Sequence, residues 1–449
     1  MCAQQLEPGI TLIVGIGVTG VSCARYLQQQ GATLRVVDSR AQPPLLAELR
    51  QQLPEDDVRT GEFKDEYLEG VERILLSPGV PLAHPFIRLA AQRGIEIIGD
   101  IELFARNVNK PVIAITGSNG KSTVTTLLGE MLDAAGMQTA VGGNLGTPAL
   151  DLLLDSEPDV FVLELSSFQL ETTESLKTTA AVVLNISEDH MDRYDNLSAY
   201  AASKLRIYSQ SGCCVVNKDD SLVASTPLPA VARRICFTGS EPGPDEFGLV
   251  IEADRTWLCY GRTRLLAADE LKLIGRHNLL NALAALALAE GCGVELEKTL
   301  PALKNFAGLP HRCQWVAEHN RIRWINDSKA TNVGAAEAAI ASMPGNIVLI
   351  AGGDGKGADF SSLRAAIADR VRAVILLGKD AARIEQALQG VTACHRVTDM
   401  QAAVRQAGEL AQPGDTVLLA PACASLDMYK NYMARGDDFA RCVLAQVDE

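Results

Sequence analysis

The sequence predicts an α/β protein made of three domains, and three observations support this prediction. The chain has 449 residues, about three times the length of a typical domain. Apolar strand patterns alternate with helical patterns along it, an order that indicates parallel sheets. A glycine-rich turn follows an apolar strand once in each third of the chain. We therefore predict domains over residues 1–99, 100–308 and 309–449.

The composition and charge exclude several classes of protein. Hydrophobic residues make up 47% of the chain and charged residues 21%, so extensive disorder is not expected. The net charge of −14 argues against nucleic acids and anionic membranes as partners. No apolar run approaches the ~18 residues of a membrane span, and the amino terminus lacks a secretion signal. The 11 cysteines include no C-x-x-C pair, so reduced thiols are expected. A cytoplasmic monomer is the expectation.

The first domain begins with a strand, a glycine turn, a helix and a second strand. Gly15, Gly17 and Gly20 form a G-x-G-x-x-G pattern, and Asp38 ends the second strand. This spacing predicts a Rossmann-like domain that holds a pyrophosphate at the helix amino terminus. It does not identify the nucleotide, because NAD and a uridine diphosphate could both use this geometry. The strands are predicted over residues 10–14, 34–37, 73–76 and 96–98, with a helix over 85–92.

The strongest local signal is TGSNGKST at residues 116–123, between an apolar strand and a helix. Such a turn exposes backbone N–H groups that cradle phosphates, while Lys121 supplies a cation and the Ser122 hydroxyl can face Mg²⁺. Ile115 replaces the first glycine of the usual phosphate loop, so the motif is a variant. It predicts a central P-loop-type ATPase domain, against the alternative of a plain glycine turn. The central strands are predicted over 112–115, 160–163 and 180–184, with helical patterns towards 135 and over 279–289, and short strands and turns across 213–257.

Two further polar groups follow central strands. Glu164 ends one strand, with Ser166 and Gln169 just beyond it, and His190 follows the next strand. An acidic residue at this position can hold the metal of a nucleotide site. The alternatives are a solvated strand end for Glu164 and a hydrogen-bonding or capping role for His190.

The third domain carries polar clusters after three of its strands. The clusters are NDSKATN at 326–332, GGDGK at 352–356 and PACASLD at 421–427. Open α/β sheets bind ligands at the carboxyl ends of their strands, although such residues are often helix caps. Together they predict a Rossmann-like carboxyl-terminal domain with a ligand site. Its strands are predicted over 324–325, 347–351, 373–377 and 416–420.

Four motifs in this order resemble the Mur ligase family over essentially the whole chain. They are TGSNGKST at 116–123, EDHMD at 188–192, HNLLNA at 277–282 and GLPHR at 308–312. The first-domain fingerprint and DSKATN at 327–332 are similar to the D-glutamate-adding members.

The resemblance implies an ATP-dependent acid–amino-acid ligase of cytoplasmic peptidoglycan precursor synthesis, and so of cell-wall biogenesis, cell shape and cell division. It implies that D-glutamate is added to UDP-N-acetylmuramoyl-L-alanine through an acyl phosphate. The three domains would then bind UDP, ATP and the amino acid in that order.

The resemblance also implies site residues. Catalytic roles fall on Lys121, Glu164, His190 and Lys204. Mg²⁺ would be held by Ser122, Glu164, His190 and Lys204, the last carbamylated by CO₂. ATP contacts are Gly117, Ser118, Asn119, Gly120, Lys121, Ser122, Thr123, Asn278, Asn281, Arg312 and Asp327. UDP-sugar contacts are Gly17, Val18, Thr19, Gly20, Asp38, Ser39, Arg40, Ser77, Gly79, Asn144 and Ser166. D-Glutamate contacts are Lys329, Thr331, Lys356, Ser425 and Tyr432, where the family pattern has Phe at the last position.

Three other functions remain open at this level. The first fingerprint alone would suit an NAD-dependent oxidoreductase, and the phosphate loop alone would suit a nucleotide-regulated switch without catalysis. Folylpolyglutamate synthase shares the central architecture and the acyl-phosphate chemistry, but its substrate carries no uridine diphosphate.

Overall fold

The computed structural model describes residues 9–155, 157–187, 189–191 and 193–447, which form three β-sheets flanked by helices. The chain divides into two compact units. One comprises the residues up to 252 with 257–266 and 281–302, and the other comprises 253–256, 267–280 and the residues from 303 onward.

The first sheet is parallel and has five strands in the order β3-β2-β1-β4-β5. Alternate strand residues enter two different cores: Ile13 and Val36 pack on one face, Leu12 and Val37 on the other. Helices therefore cover both faces, as in doubly wound folds. The strands are β1 Ile10–Val14, β2 Thr33–Asp38, β3 Val58–Thr60, β4 Val71–Leu76 and β5 Glu96–Ile98, and the helices are α1 Val18–Gln29, α2 Leu46–Gln52, α3 Pro85–Gln92 and α4 Asp100–Asn107.

The second sheet has nine strands in the order β14-β13-β12-β11-β10-β9-β6-β8-β7. Its strands are β6 Val112–Thr116, β7 Thr139–Gly143, β8 Val160–Glu164, β9 Ala180–Val183, β10 Cys213–Asn217, β11 Arg233–Phe237, β12 Glu246–Glu252, β13 Arg255–Tyr260 and β14 Thr263–Ala267. Its helices are α5 Lys121–Ala134, α6 Ala149–Asp155, α7 Ser167–Glu171, α8 Leu197–Leu205, α9 Ser221–Ala224, α10 Arg276–Gly291 and α11 Leu296–Asn305.

Strand β6 lies between β8 and β9 and is parallel to both. Their carboxyl ends, at Thr116, Glu164 and Val183, therefore meet at one edge of the sheet. One hydrophobic core joins this sheet to the first one. Within it, the rings of Phe104 and Phe161 are 5.2 Å apart, and the Ser22 hydroxyl donates to Asp151 Oδ1 at 2.9 Å.

The third sheet has six strands in the order β15-β16-β20-β17-β18-β19. Edge strand β15 is antiparallel to β16, and the other pairs are parallel. The strands are β15 Gln314–His319, β16 Ile322–Asn326, β17 Ile347–Ala351, β18 Val371–Leu376, β19 Ala393–Arg396 and β20 Thr416–Leu419. The helices are α12 Val333–Ser342, α13 Leu363–Ile367, α14 Ala381–Ala387, α15 Met400–Leu410 and α16 Tyr432–Val447.

The predicted α/β fold class is confirmed, and the boundaries 1–99, 100–308 and 309–449 stay predictions. Sequence patterns did not reveal β3, β7, β14, β15 or β19, which are short, glycine-containing or partly exposed. No helix in the described part of the chain is long and apolar enough to cross a membrane. The ten described cysteines form no disulfide, and seven of them are buried.

Candidate functional site

The phosphate loop connects β6 to α5, and contacts with neighbouring segments fix its shape. Gly120 caps α5 with φ 86°, and a Cβ there would lie 2.4 Å from Asn281 Oδ1. The backbone N–H groups of Ser118 and Asn119 donate to the carbonyl and side-chain oxygens of Asn185, each at 2.9 Å. The predicted ATP contacts of residues 117–123 and buried Asn281 are therefore brought together.

Two lysines donate to the same loop carbonyl. Lys121 Nζ lies 2.9 Å from Gly117 O and 3.1 Å from Ser118 O, and Lys204 Nζ lies 2.9 Å from Gly117 O. Lys204 is only 2% exposed. Burial, followed by the charge of Lys121, lowers the pKa of Lys204 to about 7, although the carboxylates of Asp189 and Glu164 oppose the shift. A large fraction of Lys204 is therefore a neutral amine near pH 7.

Glu164, at the end of β8, is buried and held by two side chains. Ser122 Oγ donates to Oε2 and Asn144 Nδ2 donates to Oε1, each at 2.7 Å. The donor set offers a hydroxyl and a carboxylate, which are the oxygen ligands that Mg²⁺ prefers. Among the described residues, no group of three His, Cys, Asp or Glu side chains is gathered as a metal site. A Mg²⁺ ion here would thus take protein oxygens from Ser122 and Glu164.

His190 lies among aromatic rings. Its ring is 4.8 Å from that of Phe168 and 6.4 Å from that of Tyr200, and its Nε2 lies 3.5 Å from Asp189 Oδ2. Lys204 Nζ lies 4.7 Å from the same Tyr200 ring. His190 and Lys204 are therefore neighbours through Tyr200. Residues 188 and 192 of the EDHMD motif lie outside the described residues.

The remaining predicted ATP contacts belong to the second compact unit. Asn278 is buried and donates to Ile274 O at 2.8 Å. Asp327 accepts from the backbone N–H of Cys313 at 3.2 Å. Burial raises the pKa of Asp327 to about 6, against the effect of the nearby positive charge of Arg312, which is exposed.

The first glycine turn holds an internal ion pair. Asp38 is buried and accepts from the backbone N–H of Ile16 at 2.7 Å and from Nε and Nη2 of Arg40 at 2.9 and 2.7 Å. Burial by itself would raise the pKa of Asp38, but the bonds from Arg40 and Ile16 outweigh it and lower the pKa. Because this carboxylate already binds Arg40, it is poorly placed to bind the ribose hydroxyls of NAD as in dehydrogenases.

Other predicted UDP-sugar contacts surround this turn or lie near Glu164. Ser77 Oγ donates to Gly15 O at 3.2 Å, beside Gly79. Gly17 caps α1 and residues 18–20 begin it, where Val18 is 61% exposed. Asn144 donates a hydrogen bond to Glu164, as described above, while Ser166 caps α7 by accepting from the backbone N–H of Gln169 at 3.2 Å.

The predicted D-glutamate contacts all belong to the second unit. Lys329 Nζ lies 4.2 Å from the centre of the Tyr432 ring, so the aromatic wall exists with Tyr in place of Phe. Thr331 donates its backbone N–H to Lys329 O at 2.8 Å. Ser425 is buried, whereas Lys356 is exposed with φ 49°.

Sequence reasoning missed Arg435, which is 2% exposed in α16. Its guanidinium donates to Ser328 O at 2.9 Å, to Ser328 Oγ at 3.0 Å and to Cys423 O at 3.1 Å. It thereby joins two of the polar loops predicted to bind ligands. Burial lowers the pKa of Arg435 to about 10. The surrounding helical pattern did not distinguish it from a surface arginine.

Comparisons with known proteins agree with this arrangement. Three family models match: the Mur ligase MurD-like N-terminal domain over residues 10–99, the Mur ligase middle domain over 115–289 and the Mur ligase glutamate ligase domain over 311–423. A Nitrosococcus oceani protein named UDP-N-acetylmuramoylalanine--D-glutamate ligase is 53% identical, covering 99% of both chains. A Pseudomonas aeruginosa protein of the same name is 51% identical, covering 96% of this chain and 97% of its own.

Solved structures show the same fold at low sequence identity. A UDP-N-acetylmuramoyl-L-alanyl-D-glutamate--2,6-diaminopimelate ligase superposes with a TM-score of 0.60 at 20% identity, covering 99% of this chain and 94% of its own. The UDP-N-acetylmuramate-alanine ligase MurC of Thermotoga maritima gives 0.55 at 18% identity, covering 98% and 100%. With three successive domain models and relatives at about half identity over nearly the whole length, this chain belongs to the Mur ligase family.

Proposed function

We propose that this protein joins D-glutamate to UDP-N-acetylmuramoyl-L-alanine at the expense of ATP, in cytoplasmic peptidoglycan precursor synthesis. Its relatives carry the corresponding enzyme name over nearly their full length. The structural observation that carries the proposal is the convergence of Lys121 and Lys204 on Gly117 O, beside Glu164. This arrangement suits transfer of a phosphoryl group between two anionic molecules.

The first half-reaction needs strong compensation of negative charge. A carboxylate oxygen of the muramoyl-alanine attacks the γ-phosphorus of ATP, the bond from that phosphorus to ADP breaks, and an acyl phosphate forms. Both reactants are anions, so the ammonium of Lys121 and the N–H groups at the start of α5 stabilise the charge on the phosphate oxygens. Lys121 can exchange its bonds to loop carbonyls for bonds to these oxygens.

Ser122 and Glu164 are the residues that would hold Mg²⁺ in this site. The family uses ATP and Mg²⁺ in general. When bound, the ion supplies positive charge to the phosphates. Glu164 is oriented for this by Asn144, which donates to its other oxygen. His190 is a further proposed ligand, on the resemblance alone.

Lys204 is proposed to carry a carbamate. A neutral amine attacks the carbon of CO₂, an N–C bond forms as one C=O electron pair moves onto oxygen, and one proton passes from the nitrogen to solvent. An ordinary lysine has a pKa of about 10.4 and is seldom neutral at pH 7. The pKa of Lys204, lowered to about 7 by burial and by Lys121, removes this obstacle. The product would present anionic oxygens in place of a cation.

The second half-reaction captures the acyl phosphate with an amine. The neutral amine of D-glutamate attacks the acyl carbon and a tetrahedral intermediate forms. The nitrogen then loses one proton to solvent, the bond from carbon to the phosphate oxygen breaks, and phosphate leaves with the bonding electrons. Lys329 and Lys356 are two cations that suit a dicarboxylic amino acid. Tyr432, whose ring lies beneath Lys329, would orient that lysine.

Product analysis tests the whole proposal. The purified protein is incubated with ATP, Mg²⁺, UDP-N-acetylmuramoyl-L-alanine and either D- or L-glutamate, and the product is identified by mass spectrometry. We expect a new amide with D-glutamate only, with phosphate released only when both substrates are present.

Phosphate release without either substrate would instead indicate a nucleotide switch. Calorimetry showing tight NAD binding and no UDP-sugar binding would indicate an oxidoreductase. Light scattering on the same sample tests the prediction of a monomer.

A further inference from the structure

Arg193 is a largely buried arginine to which the proposed reaction steps give no role. It lies three residues after His190, and its backbone N–H donates to His190 O at 2.9 Å. Its side chain is only 14% exposed. The backbone of Arg193 is thus hydrogen-bonded directly to that of His190.

The guanidinium of Arg193 binds a segment of the first domain, just after β4. Nη1 donates to Pro78 O at 2.7 Å. Pro78 lies between Ser77 and Gly79, the two predicted UDP contacts after β4. Hydrogen bonds from a charged donor are stronger than those between neutral groups. The turn over residues 77–79, which we call the UDP turn, is therefore tied to the His190 segment.

A carboxylate and an aromatic ring hold this guanidinium in place. Nη2 donates to Glu171 Oε2 at 2.9 Å, and Glu171 is only 16% exposed. The guanidinium carbon lies 4.2 Å from the centre of the Phe168 ring. The ring of His190 is 4.8 Å from that same ring. Phe168 therefore contacts both Arg193 and His190, and the three side chains form one packed group.

We propose that Arg193 is a positioning residue that couples occupation of the UDP turn to the placement of His190 beside the phosphate loop. The inference rests on the proposed function, in which one substrate binds at the UDP turn and reacts near the phosphate loop. Such a connection uses binding energy at the nucleotide end to orient the reacting end. Lysine could not replace it, because only the planar guanidinium can donate to Pro78 O and Glu171 while stacking on Phe168.

The test compares Arg193→Met and Arg193→Lys with the wild type. Binding of UDP-N-acetylmuramoyl-L-alanine is measured by calorimetry without ATP, and KM is measured for each of the three substrates. We expect affinity for the UDP substrate to fall by about tenfold to a hundredfold, as for one lost charge-assisted bond, with kcat also reduced. KM for D-glutamate should change by less than about twofold.

Arg206→Met is the matched control. Arg206 donates to Leu170 O in α7 and to Thr173 O just beyond it, each at 2.9 Å, so it supports the end of the same helix through backbone carbonyls. We expect this variant to lose stability in thermal unfolding without a selective loss of affinity for the UDP substrate. An equal loss in Arg206→Met would mean that Arg193 acts only as general support, which would overturn the inference.

Two failures can be told apart. If the wild type forms no D-glutamyl product, the proposed function is wrong. If the wild type is active but both Arg193 variants bind the UDP substrate and turn over as it does, only the inference about Arg193 is wrong. Arg193→Lys keeps the positive charge beside Glu171, so it remains informative even if Arg193→Met does not fold.

Discussion

The two glycine turns of the first compact unit differ in the partners of the cationic side chains beside them. At the turn after β1, Asp38 at the end of β2 accepts from the backbone N–H of Ile16, and Arg40 is bound to this buried carboxylate. In the turn after β6, the ammonium groups of Lys121 and Lys204 meet at one carbonyl oxygen. Both turns follow a buried strand and begin a helix. Two similar turns therefore differ in electrostatics: one pairs a cation with a buried carboxylate, and the other brings two lysine side chains together.

This difference indicates which kind of ligand each turn suits. A cation whose counterion is buried beside it keeps its position with or without ligand, which suits recognition of a nucleotide that is not cleaved. Burial lowers the pKa of Lys204 to about 7, and repulsion by the neighbouring ammonium of Lys121 adds to this shift. Conversion of Lys204 to the proposed carbamate removes this repulsion and leaves Lys121 as the ammonium that meets the incoming polyphosphate, which suits a site where phosphate charge changes during the reaction.

The largest expected effect comes from removing Lys121. Lys121→Ala should lower kcat by about a hundredfold to a thousandfold, since a principal source of charge stabilisation is lost. Phosphate release measured under saturating substrates checks this. Arg40→Ala serves as the matched cation in the other turn and should act mainly on KM for the UDP substrate. Near-normal turnover in Lys121→Ala would contradict the assignment of the phosphate loop.

Lys204 should show the next largest effect. Lys204→Ala removes the proposed carbamate, so we expect turnover to fall by about a hundredfold and to recover in part when short-chain carboxylates are added. Full activity without rescue would end the carbamate proposal.

The titration of Lys204 gives an independent measurement. With ¹³CO₂ held at constant dissolved concentration, the carbamate ¹³C signal should grow as pH rises through about 7, because the neutral amine predominates above the lowered pKa. A lysine with an ordinary pKa of about 10.4 would stay almost entirely protonated between pH 6 and 8 and would give little carbamate signal. Absence of the signal in Lys204→Ala identifies the site.

A smaller effect is expected when the ion pair of the first turn is broken. Asp38→Asn keeps the shape of the side chain but removes the charge that holds Arg40, so KM for the UDP substrate should rise about tenfold. KM for ATP should not change. The exposed carboxylate Asp65 provides the control variant Asp65→Asn. Equal changes in both KM values would mean that the two turns do not act on separate ligands.

The last prediction concerns stability and compares a pair of glycine variants in the first turn. A Cβ at Gly20 would lie 2.0 Å from Gly15 O, whereas a Cβ at Gly17 would meet nothing within 4 Å. Gly20→Ala should lower the free energy of unfolding by about 2 kcal/mol, as in other overpacked sites. Gly17→Ala should change it by less than about 0.5 kcal/mol. Denaturation in urea measures both, and a reversed order would contradict the described turn.

Local patterns were enough to predict much of the fold and part of the site. The strands over 10–14, 96–98 and 347–351 and the helix over 85–92 were predicted with the observed limits. The roles proposed for Lys121 and Ser122 also came from a continuous motif. By contrast, nothing near Lys204 in the sequence marks it as special, and only the family resemblance singled it out. Arg193 and Arg435 went unnoticed, because their patterns are those of ordinary surface residues.

The order of residues was sufficient to predict the α/β class and the two glycine turns, since hydrophobic periodicity and turn chemistry act over a few residues. The family followed from the resemblance of four short motifs. Burial and charge interactions depend on segments that are distant along the chain. Lys204 is 87 residues from the carbonyl it binds, and Arg193 is 115 residues from Pro78. The lowered pKa of Lys204 and the connection made by Arg193 therefore exist only once the sheets have packed, because desolvation and Coulomb energy depend on distance in space.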